Sequence, residues 1–171
     1  MSYTKKLNYD NIPASTRTFI LKTNLTLDIK KLFENLPITE YIVVPKKRGR
    51  KKKNAPKDPN NDIPSGSIVT LEYENKMRGI KIKKKKNKKN GRITFFRNST
   101  TVVMRIDTKF INFKISGNGK FQMTGCKFIE HAEECMKYMW LYMKDTDYYT
   151  IDGDNLEVMF VPSMRNIDFD I

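Results

Sequence analysis

Val102-Val103-Met104-Arg105-Ile106 and Gly119-Lys120-Phe121-Gln122-Met123-Thr124-Gly125-Cys126-Lys127 decide how this chain is read. The first is a run of β-branched and apolar residues. The second follows Ser116-Gly117-Asn118-Gly119, whose glycines and asparagine tolerate positive φ and therefore predict a hairpin. Residues 100–106, 109–115 and 120–124 read as three successive strands. Side chains alternate across a strand, so Ile111, Phe113, Ile115, Phe121 and Met123 share one face. Phe110, Asn112, Lys114, Ser116, Gln122 and Thr124 share the other. Residues 128–144 then predict a long helix whose apolar stripe is Ile129, Ala132, Met136, Met139, Trp140 and Met143. Flexible thioethers fill cores well, so the stripe reads as ordinary packing. The unit is a sheet running straight into the helix that covers it.

Working outward, residues 16–25 predict a strand, with Thr26 as N-cap of a short helix carrying Ile29, Leu32, Phe33 and Leu36. Pro37 ends that helix because its ring cannot continue it. Residues 41–44, 67–73, 79–82 and 93–96 read as further short strands. Residues 145–154 read as an acidic loop, and 156–160 and 166–171 as final strands. A faint internal repeat aligns residues 13–20 with 161–168, bringing Thr18 onto Asn166.

Charge is confined. Residues 46–92 hold 18 of the 33 Lys and Arg and 4 of the 19 Asp and Glu, and the rest of the chain holds 15 of each sign. The net charge of +14 thus belongs to an internal segment, while the remainder is balanced. Residues 46–66 and 83–91, rich in Lys, Pro and Asn, can bury almost nothing and read as disordered basic loops. Lys46, Lys47, Arg48, Arg50, Lys83, Lys84, Lys85 and Lys86 are candidates for phosphate contact by counterion release, without sequence preference. Pro45-Lys46-Lys47-Arg48-Gly49-Arg50-Lys51 is similar to an AT-hook, with Lys51 where that motif has proline. A nuclear-import signal or a phosphate tether fits the same residues.

Composition excludes several classes. No apolar run reaches the roughly 18 residues of a membrane span, and residues 1–11 carry no secretory pattern. A soluble protein of a reducing intracellular compartment is expected. Cys126, Cys135 and His131 are too few for a four-ligand zinc site, so free thiols and no metal are expected. Scattered carboxylates, a lone histidine and no phosphate-cradling glycine motif predict no enzyme and no cofactor.

The Val102–Lys127 region resembles one repeat of the TATA-box-binding protein family, whose pattern is V-I-M-R-I, a hairpin with G-K-x-x-x-T-G-A-K, then a long helix. The low-identity first half and basic insertion are similar in style to divergent members from large DNA viruses. The resemblance implies an α+β fold: a curved antiparallel sheet with helices on its convex face, a half-saddle. Residues 1–14 would be a flexible lead-in, 15–144 one repeat, and 145–171 a linker with the first strand of an incomplete second repeat. Arg165-Asn166-Ile167 resembles the start of that second repeat.

The family docks its concave face in the DNA minor groove. By resemblance Thr18, Lys114, Ser116, Gln122, Thr124 and Asn166 would face DNA, and Arg105, Lys120 and Lys127 would meet phosphates. Ser99 and Ser116 occupy the positions where the family inserts phenylalanines between base steps. Phe95, Phe96 or Phe110 could serve as that wedge if the strands shift. The implied role is a transcription initiation factor in a nucleus, viral factory or virion. Its partners would be double-stranded DNA, general transcription factors or RNA polymerase, and a second polypeptide supplying the missing half, with no membrane partner. Two other readings stand beside it: a protein-interaction module of the same fold, and a basic nucleic-acid-binding protein without sequence preference.

Overall fold

The structure, a computed structural model, describes residues 14–43, 60, 62–80 and 98–167. Nine strands and two helices follow one another in these segments: β1 (Thr16–Thr23), β2 (Leu25–Leu27), α1 (Ile29–Asn35), β3 (Ile68–Tyr73), β4 (Lys76–Gly79), β5 (Ser99–Ile106), β6 (Lys109–Ser116), β7 (Lys120–Cys126), α2 (Ile129–Met143), β8 (Tyr149–Ile151) and β9 (Val158–Asn166). Seven strands form one antiparallel sheet in the order β4-β3-β5-β6-β7-β1-β9, and β2 pairs with β8 beside it. The class is α+β, consistent with the family's fold.

Alternation in β5, β6 and β7 sets the layers. Val102, Met104, Ile106, Ile111, Phe113, Ile115, Phe121 and Met123 are at most 1% exposed. Leu32 and Phe33 of α1 and Ala132, Cys135, Met136, Met139 and Met143 of α2 join them in a single core. Both helices therefore lie against one face of the sheet. Spacings of three and four residues put the α2 set on one stripe. That stripe is centred on Cys135 and Met139, so Ile129 stays exposed and Trp140 half-buried, its ring edge-on to Tyr149 at 5.3 Å.

Two glycines are dictated by geometry. Gly119 has φ +70°, and a Cβ there would lie 2.3 Å from the Leu25 carbonyl oxygen. The hairpin tip is docked that closely because Thr23 donates to the Gly119 carbonyl from its backbone N (3.1 Å) and its hydroxyl (2.8 Å), and Leu27 N donates to the Gly117 carbonyl at 2.8 Å. Gly66 has φ +88° and lies under the Tyr138 ring, where a Cβ would stand 2.3 Å from Cδ1.

Several expectations need correction. The N-cap of α1 is Asp28, whose carboxylate accepts from Lys31 N at 3.0 Å, while Thr26 belongs to β2. Residues 41–43 form no strand: the Asn60 side chain accepts from Ile42 N (2.9 Å) and donates to Ile42 O (2.8 Å), taking the place of a partner strand. The hairpin return is β4 at Lys76–Gly79, a few residues early, because Glu74 adopts φ +51° in a tight turn. The acidic loop contains β8, held by pairing with β2. The strand expected at 156–160 is longer than expected: β9 runs on through Pro162 to Asn166, with a register shift opposite Thr18 and Phe19 that leaves Ser163 over as a bulge, and most of the strand expected at 166–171 lies outside the described residues. Proline is tolerated there because β9 is an edge strand. The strand expected at 93–96 and most of the basic loops lie outside the described residues.

Candidate nucleic-acid interface

The face of the sheet away from the helices is polar; it is open over β6, β7, β1 and β9 and partly covered toward β3, where Thr70 is 3% exposed and donates its hydroxyl to the Ile80 carbonyl. Its register lines up side chains from six strands. One ladder runs Glu72, Thr101, Lys114, Gln122, Ile20 and Val161. The next runs Thr70, Val103, Asn112, Thr124, Thr18 and Met164. Asn112, Lys114, Gln122 and Thr124 are exposed, and Thr18 and Ser116 half-buried. Thr124 donates its hydroxyl to the Asn112 carbonyl at 2.9 Å, which fixes its rotamer and leaves the oxygen's lone pairs outward. Residues expected on one face of β6 and β7 thus do share it.

Other expected site residues sit differently. Arg105 is on the open face at one end, but its guanidinium donates to main-chain carbonyls: Nε to Asp107 at 2.9 Å, and one terminal nitrogen to Asn60. It ties the β5–β6 turn to the segment preceding β3. Phe110, opposite Arg105, meets Tyr41 edge-on with ring centroids 5.3 Å apart. Lys127 follows β7, and its ammonium stands 5.3 Å from the Phe128 ring centroid, beside the start of α2. Its backbone N donates to His131 Nδ1 at 3.1 Å, so the single histidine closes the entry to a helix whose N-cap, Phe128, offers no side-chain acceptor. Lys120 is exposed at the start of β7. Lys46, Lys47, Arg48, Arg50, Lys83, Lys84, Lys85, Lys86, Phe95 and Phe96 lie outside the described residues.

Ser99 and Ser116 are directly opposed across β5 and β6. The two positions singled out by resemblance are therefore neighbours at one corner of the open face. Sequence reasoning missed Ile20, Val103 and Val161, which place short apolar side chains on either side of the polar centre formed by β6 and β7. In β1 the run Phe19-Ile20-Leu21 hides its own alternation; only burial of Phe19 and Leu21, at 2% and 0% exposed, assigns Ile20 to the open side.

The internal repeat has a geometric counterpart. Thr16 pairs with Asn166, Arg17 with Arg165 and Thr18 with Met164. Aligning Thr18 with Asn166 and Thr16 with Met164 exchanges the first and last pairs and carries Arg17 onto Arg165. A local dyad therefore passes between those two arginines. Asn166 is held there by its Nδ2, which donates to Thr16 Oγ1 at 2.9 Å.

Cys126 and Cys135 are buried free thiols. Burial pushes the Cys126 thiol up to about 11 and raises that of Cys135, so neither is a thiolate near neutral pH. No group of three metal-ligating side chains occurs among the described residues. No helix there is long and apolar enough to cross a membrane.

No family model matches the chain, and no solved structure matches it significantly. A protein of Acanthamoeba polyphaga mimivirus named TATA-box-binding protein-like is 32% identical over 130 residues, covering 74% of this chain. The chain spans only 29% of that relative's length. Motif, α+β sheet architecture and this similarity agree, and together they support a divergent viral member of the TATA-box-binding protein-like family.

Proposed function

We propose that the open sheet face docks in the minor groove of double-stranded DNA and that the protein acts in transcription initiation. The observation that carries this is the pair of ladders. Six strands spaced about 4.8 Å apart carry the ladder from Glu72 to Val161 roughly 24 Å, the length of about seven base pairs at 3.4 Å per step, while the second ladder is open from Val103 to Met164. The hydroxyl of Thr18 and the amide groups of Asn112 and Gln122 can donate to the acceptors that A·T pairs present in that groove. Short side chains at Ile20, Val103 and Val161 supply flat apolar contact on either side of the polar centre. The lysine-rich stretches add phosphate attraction without reading sequence. A second polypeptide suits the outer edge of β9, which has no partner strand among the described residues. General transcription factors or RNA polymerase follow as partners from the role, and a nucleus or viral factory as its place.

The test is Gln122→Glu combined with Thr124→Lys, measured by anisotropy against A·T-rich and G·C-rich duplexes. Both residues are exposed, so the fold should survive. Binding to the A·T-rich duplex should fall by tenfold or more; unaltered affinity rejects the groove reading. Equal affinity of the parent protein for both duplexes would favour binding through the basic segments alone. One observation favours a protein-docking face instead: Met77, Met159 and Met164, 47%, 62% and 61% exposed, lie on the two outermost strands of the sheet. Under that reading the double variant leaves DNA affinity unchanged.

A further inference from the structure

Beside the serine pair the register brings two lysines face to face. Lys22 of β1 is directly opposite Lys120 of β7, and both are exposed. Their neighbours Leu21 and Phe121 are fully buried on the helix side, so the lysines project from the open face. Like charges directly opposed on adjacent strands destabilise a sheet. Among the described residues no ion pair involves either lysine. The corner is also held firmly. Thr23, next to Lys22, clamps the Gly119 carbonyl, next to Lys120. Gly117 N donates to the Asn98 carbonyl at 3.3 Å, linking the ends of β5 and β6 where Ser99 and Ser116 face each other. Two cations without an ion-pair partner among the described residues, and two hydroxyls, thus project from one rim of the sheet. They suit an anion that supplies the missing negative charge and accepts hydrogen bonds.

We propose that Lys22, Ser99 and Ser116 join Lys120, for which the family resemblance already implies a phosphate contact, in gripping the sugar–phosphate backbone of the duplex: Lys22 pairs with a second phosphate, and Ser99 and Ser116 donate to phosphate or sugar oxygens. The inference rests on the groove reading and deepens it. A base step is pried open by an apolar wedge. Serines and lysines cannot act as one, so at this corner the protein holds the duplex from outside the stack.

The full-length chain with Lys22→Ser and Lys120→Ser, titrated with an A·T-rich duplex over a salt series, tests it. Removing one lysine–phosphate pair should reduce the slope of log K against log salt by roughly 0.9, and removing both by roughly 1.8. The charge-matched control, Lys30→Ser with Lys137→Ser on the helices, should leave the slope as it was. Relief of the opposed charges should also keep the low-salt Tm of the first variant at or above the parent's. A slope unchanged by the corner variant, or changed equally by both, overturns the proposal. If Gln122→Glu with Thr124→Lys abolishes binding while the corner variant keeps its slope, the corner alone is refuted. If that face variant binds normally, the groove reading fails and takes the corner with it.

Discussion

On one side of β6, Ile111, Phe113 and Ile115 are at most 1% exposed; on the other, Asn112 and Lys114 stand open to solvent. The same strand serves two faces under different constraints. The helix side is close-packed, and every methylene removed there leaves a void. The open side has few neighbours above it, so its side chains can change with little effect on folding. The separation lets a divergent chain rewrite its contact surface, Ser99 and Ser116 included, while keeping the alternation that holds the sheet against its helices.

Three substitutions test that division. Phe113→Ala removes a fully buried ring between the sheet and the helices and should cost about 3–5 kcal/mol by denaturant unfolding. Cys135→Ser puts a hydroxyl where a buried thiol packs; with no partner it should cost about 1–3 kcal/mol and lower Tm measurably. Thr101→Ala, in the middle of an open-face ladder, should stay within about 0.5 kcal/mol of the parent. A Thr101→Ala destabilisation as large as that of Cys135→Ser would mean the open side is structural, and the division would fail.

Much of this arrangement was legible in the residues because alternation is a local signal. The order Phe110 to Ser116 assigns both faces of β6 without reference to any partner. The short helix, the long helix and the turn at Gly117 to Gly119 carry equally local marks. What escaped depends on distant residues. β8 exists because Leu25–Leu27 pairs with Tyr149–Ile151, more than a hundred positions away. Residues 41–43 have strand composition, yet a single asparagine side chain satisfies Ile42 and no ladder forms. The motif gave Arg105 a contact role. Its guanidinium is engaged by the Asp107 carbonyl in the adjoining turn and by that of Asn60, from a segment whose approach nothing in the motif foretells. The apolar contribution of β1 to the open face was hidden because Phe19-Ile20-Leu21 is hydrophobic on both sides of the strand.

The dyad between Arg17 and Arg165 bears on orientation. The half-turn relates β1 to β9 and stops there: five more strands lie beyond β1, and none beyond β9 among the described residues. Even within the pair Thr18 does not match Asn166, nor Thr16 Met164. The open face therefore has two unlike ends, and whatever lies along it meets a surface with a built-in sense of direction.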